Sequence, residues 1–284
     1  MRLALLLAAL LIGAAPALAD PRLKAVATFS ILGDFVREVG GDQVDLVTLV
    51  GPDADAHTYQ PKPTDARILA GAKVLVSNGL GFEGWIDRLA EAAGFKGRRI
   101  VASAGATPDA DPHCWQDVGC ARRYVANIAD GLAAADPANA AGYRARAAQY
   151  DQRLAALDDW IRREIATIPA ERRRAITGHA SFRYFARAYD VRFSAPRGYS
   201  TDSEPTARDV ANLIRQIREQ KVKAVFVENM TNPALISEIA RDSGAVVGPR
   251  LYSDALSRPD GPAPTYEAMM RHNVTALVAG MQKN

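Results

Sequence analysis

Two cysteines in 284 residues are too few for a disulfide scaffold, so the fold has to rest on a hydrophobic core. Net charge is also scarce. Thirty-five Lys and Arg against 32 Asp and Glu leave a formal +3, which gives no clustered basic face for nucleic acid. The run "RRRA" at 172–175 reads as solvated charge at a helix end or linker. Beyond the first twenty residues no apolar stretch reaches the roughly 20 residues that a membrane-spanning helix needs. Histidine is rare as well, with four in the chain: His57, His113, His179 and His272.

The opening residues "MRLALLLAALLIGAAPALAD" hold a basic Arg2, an apolar run from Leu3 to Ile12 and a small-residue end at Ala17-Leu18-Ala19. This three-part order predicts a secretory signal peptide over residues 1–19, cleaved between Ala19 and Asp20. No cysteine stands at the cleavage point, so no lipid anchor is expected there. The mature chain of 265 residues is expected to be soluble and periplasmic, long enough for two lobes.

Short apolar, β-branched runs alternate with helical patterns, which predicts an α/β fold with mainly parallel sheets. Candidate strands lie at 23–28, 44–50, 72–78 and 98–103, then at 173–179, 191–195, 223–229 and 245–252. Val210, Leu213, Ile214 and Ile217 follow helical spacing after "SEPTARD", as do Leu235, Ile236 and Ile239 before Gly244. Tyr266, Met269, Met270, Val274, Leu277, Val278 and Met281 form a last apolar stripe, whose methionines read as core filler. From Pro137 to Ile168 the composition favours one helix of about 30 residues, roughly 45 Å long. The expected organisation is an N-terminal lobe over 20–130, a long rigid linking helix within 131–169 and a C-terminal lobe over 170–284.

Three histidines share a context. His57 follows the strand at 44–50, His113 lies in the loop after 98–103, and His179 ends the strand at 173–179. Asp254, in "LYSDAL", stands just past the last strand. Ligand crevices of open α/β sheets form at the carboxyl ends of strands, so all four fall on the same rim, two from each lobe. Three imidazoles and a carboxylate across a cleft make a candidate site for a divalent metal. The gaps between them are 56, 66 and 75 residues, unlike local zinc-ligand spacings, and each histidine taken singly reads more readily as a hydrogen-bonded loop residue than as a ligand. His272, off the apolar stripe of the last helix, reads as a surface residue.

The stretches "DAHTYQPKPTDARILAGAKVLVSNGLGFEGWIDRL" (55–89), "DPHCWQDV" (111–118), "ITGHASFRYFARAYD" (176–190), the segment 203–245 and "LYSDALS" (251–257) occur in an order that resembles the zinc/manganese-type periplasmic solute-binding proteins of ABC transporters. That resemblance spans the mature chain. It implies two lobes joined by a long helix, with one metal in the cleft held by His57, His113, His179 and Asp254. Gln116 and Val118 stand where the family commonly has Leu and Pro. The implied partners are an inner-membrane ABC permease with its ATPase, and a periplasmic metallochaperone is a further candidate. The protein itself is expected to be a monomer that catalyses no reaction.

The nitrogen-rich set favours Zn²⁺ as the transported ligand, and manganese-type members commonly carry a carboxylate in place of His179. The long His-rich loop of many zinc-specific members has no counterpart between Gly84 and Asp111, which keeps Mn²⁺ or Fe²⁺ as the alternative. A secreted zinc hydrolase would need an open coordination position and a base such as Glu228 or Glu204. Asp254 would fill that position, and the two glutamates read better as a strand-end hydrogen-bonding residue and a helix N-terminal charge. A site for an organic ligand or siderophore would call for an apolar or Arg-lined cleft instead. Cys114 and Cys120 bracket the His113 loop. In an oxidising compartment a disulfide between them would stiffen that loop, with inert reduced thiols as the alternative, while a Cys114 thiolate ligand is disfavoured because neighbouring side chains diverge.

Overall fold

The structure, a computed structural model, describes residues 22–284. The expected signal peptide and its cleavage point lie outside the described residues. Two four-stranded parallel sheets carry the architecture. The first has β1 (Leu23–Phe29), β2 (Val44–Val50), β3 (Val74–Ser77) and β4 (Arg98–Val101), in the order β2-β1-β3-β4. The second has β5 (Arg174–Ile176), β6 (Arg192–Ser194), β7 (Ala224–Val225) and β8 (Val246–Val247), in the order β6-β5-β7-β8. Helices α1 (Ser30–Gly40), α2 (Pro63–Ala70), α3 (Ile86–Ala92) and α4 (Val118–Ala135) belong to the first half. The long α5 (Ala140–Ala166) comes next, then α6 (Arg183–Tyr189), α7 (Ala207–Gln220), α8 (Ala234–Ser243) and α9 (Tyr266–Met281).

Local sequence accounts for most of these boundaries. Thr206 and Asp209 form a reciprocal capping box that opens α7, whose Leu213 and Ile217 are buried. Gly244 takes the left-handed conformation, φ 72°, that ends α8. The 27 residues of α5 span about 40 Å and bury Tyr143, Ala147, Tyr150, Leu154, Leu157, Ile161 and Ile165 at helical spacing. The methionines of α9 are fully buried in the main core, so they fill space and face no ligand.

The strands of the second half are shorter than the apolar runs predict. The runs at 223–229 and 245–252 yield two residues of ladder each, then continue as a single parallel bridge between Glu228 and Leu251. Pro249, with no N–H to donate, stands between the ladder and the bridge. Past the ladder both segments run as loop, and they carry Glu228 and Asp254 to the cleft.

Candidate metal centre

Each of the four residues singled out by the sequence lies in the loop that leaves the carboxyl end of a strand, from three residues past β5 for His179 to twelve past β4 for His113. The structure brings all four together: one ligand atom from each of His57, His113, His179 and Asp254 lies within 4.8 Å of the other three. His57 Nε2 stands 3.3 Å from His113 Nε2 and 3.4 Å from Asp254 Oδ2. Asp254 Oδ1 is 3.6 Å from His113 Nε2, and Oδ2 is 3.0 Å from His179 Nε2. Four donors around an ion at about 2.0–2.1 Å in tetrahedral geometry stand about 3.3–3.4 Å apart, so these separations suit a cation of that size. Both Asp254 oxygens and His179 Nε2 are buried, and their close contacts are out of line for hydrogen bonds. Buried polar atoms ordinarily have partners; here they converge on one point.

The walls hold the rings in place. The ring of Phe82 packs 4.5 Å from that of His57 and 4.9 Å from that of Trp115, and Trp115 lies 5.3 Å from His113. Cys114 and Cys120 are joined by a disulfide that ties the residue after His113 to the first turn of α4. Trp115 Nε1 and Gln116 Nε2 both donate to the carbonyl of Ser253, at 2.9 and 2.7 Å, which fastens the first half of the chain to the residue before Asp254. Gln116, the departure from the common Leu, is thus a cross-cleft anchor.

Supporting carboxylates stand behind two imidazoles. Asp111 Oδ1 accepts the His113 backbone N–H at 3.0 Å and lies 2.8 Å from its ring Nδ1. Glu228 Oε2 accepts the His179 N–H at 3.0 Å, while Oε1 accepts the Ser181 hydroxyl at 2.9 Å and lies 2.9 Å from His179 Nδ1, approaching that ring obliquely. Gly178 makes room for this glutamate, since a Cβ there would meet Glu228 Oε2 at 2.6 Å. Such outer partners fix the orientation of a ligating imidazole and raise its basicity. Asp111 was not singled out in the sequence, whereas Glu228, expected as a strand-end hydrogen-bonding residue, is one, and its partners lie on the His179 turn. A signal existed for the first: "DAH" and "DPH" place an Asp two residues before both loop histidines, and in both the carboxylate caps the histidine's own N–H. His272, half-buried in α9, bonds the Arg250 carbonyl at 2.8 Å and is not one of the clustered donors.

The site is strongly polarised. Burial alone would lower the His113 and His179 imidazoles, but the carboxylates beside them win. Asp254 and Asp111 push His113 up, and Glu228 and Asp254 push His179 well above its ordinary value. Burial would likewise raise Asp254, yet the two imidazoles hold it well below the usual carboxylate range. The cluster is a buried negative centre that favours cations, protons included.

Comparison with known proteins fits this geometry. The profile of the family described as zinc-uptake complex component A, periplasmic, matches residues 25–280. The chain belongs to this family. Its members are substrate-binding components of metal ABC transporters, and the two-lobed α/β architecture is theirs. Among curated relatives, a manganese-binding lipoprotein, MntA, of Halalkalibacterium halodurans is 33% identical over 270 residues, covering 92% of this chain and 89% of the relative. The iron-binding protein YfeA of Yersinia pestis is 30% identical, covering 91% and 86%. Among solved structures, the periplasmic zinc-binding protein TroA from Treponema pallidum superposes with a TM-score of 0.87 at 28% identity, covering 92% of this chain and 99% of that one.

Proposed function

We propose that this protein captures a divalent transition metal in the periplasm, with His57, His113, His179 and Asp254 as its ligands, and hands it to an inner-membrane ABC permease and its ATPase. The convergence of those four donors, at separations suited to a single ion, carries the reading. Three imidazoles with one carboxylate favour Zn²⁺ as cargo, because nitrogen donors suit zinc and manganese prefers more oxygen. The zinc-binding relative of known structure supports that choice. A second reading, Mn²⁺ or Fe²⁺, is favoured by the names of the manganese- and iron-binding relatives. No reaction is assigned: Asp254 occupies the position that a catalytic zinc would leave to water. The protein acts as a monomer, with lobes over 20–130 and 170–284 joined through 131–169, and a periplasmic metallochaperone is a further partner of this reading.

Metal analysis of untagged protein tests it, alongside His57→Ala, His113→Ala, His179→Ala and Asp254→Ala. One equivalent of metal in the wild type and its loss in the histidine variants are expected. Asp254→Ala should weaken binding without abolishing it, since water can take the fourth place. A wild type that holds no divalent metal would refute the proposal, and the preference between Zn²⁺ and Mn²⁺ in competition decides the cargo.

A further inference from the structure

The two Asp-x-His turns differ in where their carboxylates lead. Asp111 is sealed: it is 1% exposed, its Oδ2 is buried without a hydrogen-bond partner, and its backbone carbonyl accepts the Tyr184 hydroxyl at 2.9 Å. Asp55 is half-buried and bifunctional. Its Oδ1 accepts the His57 N–H at 2.9 Å, while its Oδ2 accepts the Thr201 hydroxyl at 2.6 Å. Thr201 belongs to the other half of the chain, in the irregular segment 195–206 between β6 and α7. One carboxylate therefore joins a ligand's backbone to a strap reaching across the cleft. Among the four ligand residues His57 is also the least buried; the other three are fully enclosed.

The anchoring of this loop is graded. Two residues earlier, Asp53 is held twice: its N–H donates to the Leu256 carbonyl at 3.0 Å, and its Oδ1 accepts Asn229 Nδ2 at 2.9 Å. Asp53 itself sits in the left-handed region, φ 55°, where a short side chain marks a turn. Ala56, between Asp55 and His57, is buried and its carbonyl accepts Trp85 Nε1 at 2.8 Å, so releasing the Thr201 contact would loosen the Asp55 carboxylate and its cap on the His57 N–H while Asp53 and Ala56 stay fixed. The moving unit is a few residues and not a lobe.

We infer that His57 is the ligand through which cargo enters and leaves, and that Thr201 is a positioning residue whose hydrogen bond to Asp55 sets the release rate. The inference rests on the four-ligand reading above. It adds a division of labour: a buried carboxylate stands beside the ring Nδ1 of His113 and of His179, whereas the carboxylate beside His57 caps its N–H and is itself held from the other half by Thr201.

The test uses the full mature chain loaded with Zn²⁺, and in parallel with Mn²⁺, mixed rapidly with excess chelator. Thr201→Val keeps the shape and removes the hydroxyl; Thr201→Ser keeps the hydroxyl. Loss of a hydrogen bond to a carboxylate at a half-exposed site should speed release in Thr201→Val by roughly five- to tenfold. Thr201→Ser should release at the wild-type rate, and the metal-free Tm of both should stay within about 2 °C of wild type, as for an ordinary surface change. A merely structural role would move Tm and leave the rate of the folded protein alone. Wild-type release from Thr201→Val, or a Thr201→Ser variant as fast as Thr201→Val, overturns the latch while leaving the metal site standing. A wild type that binds neither ion removes both.

Discussion

Replacing Glu228 by Gln isolates orientation from coordination. The side chain is fully buried, touches no proposed ligand atom, accepts the His179 N–H and the Ser181 hydroxyl at 3.0 and 2.9 Å, and lies 2.9 Å from His179 Nδ1 at an oblique angle. Glutamine has the same outline but one acceptor oxygen in place of two, and its NH₂ group must face a donor. Losing the outer partner of a metal-bound histidine typically costs 10–100-fold in affinity. At 1.36 kcal/mol per tenfold that is about 1.4–2.7 kcal/mol, in line with about 1.5–3 kcal/mol for a hydrogen bond to a charged group. Competition titration with a fluorescent chelator at pH 7.5 should show that loss with the stoichiometry still at one ion. The deficit should shrink at pH 5.5, because Glu228 is the leading influence that pushes His179 up, and without it fewer protons compete for the site. Affinity within twofold of wild type at pH 7.5 would show that the glutamate does not orient the ring.

Two further outcomes come from the same structure. In the metal-free site His113 and His179 are biased toward the protonated form, and an ion binds only to the neutral rings, so binding releases protons and affinity falls as pH falls. One displaced proton changes affinity tenfold per pH unit, so calorimetry should find at least about a hundredfold weaker binding at pH 5.5 than at pH 7.5, and equal affinities would contradict the assignment. Removing the Cys114–Cys120 crosslink by a double Ala substitution opens a short loop worth about 2 kcal/mol of unfolded-state entropy, and calorimetric scans should show Tm lowered by several degrees. An unchanged Tm would show that the loop is rigid without it.

The parts of this molecule legible in its sequence are those whose signal is local or periodic. Strands of the first half, the capped helix after Thr206 and the buried stripe of α5 follow from hydrophobic spacing. The four cleft residues follow from the rule that strand ends meet at a crevice. Asp111 was within reach, because a carboxylate two residues before His113 is placed to cap that residue's backbone. Glu228 was not, because its relation to His179 exists only once β5 and β7 lie side by side, 49 residues apart in the chain. The same holds for Thr201 on Asp55 and for Gln116 on Ser253, contacts over 146 and 137 residues. The apolar runs at 223–229 and 245–252 overstated their strands because burial beneath loops draws on the same residues as burial within a sheet.

The paired donation of Trp115 and Gln116 to the Ser253 carbonyl needs no ion, since none of these three groups is offered to one. If both bonds persist with and without cargo, the two halves stay fastened and no wide jaw movement signals the load. In that case a receiving complex would read the load from the loops that carry the ligands, such as the one holding His57.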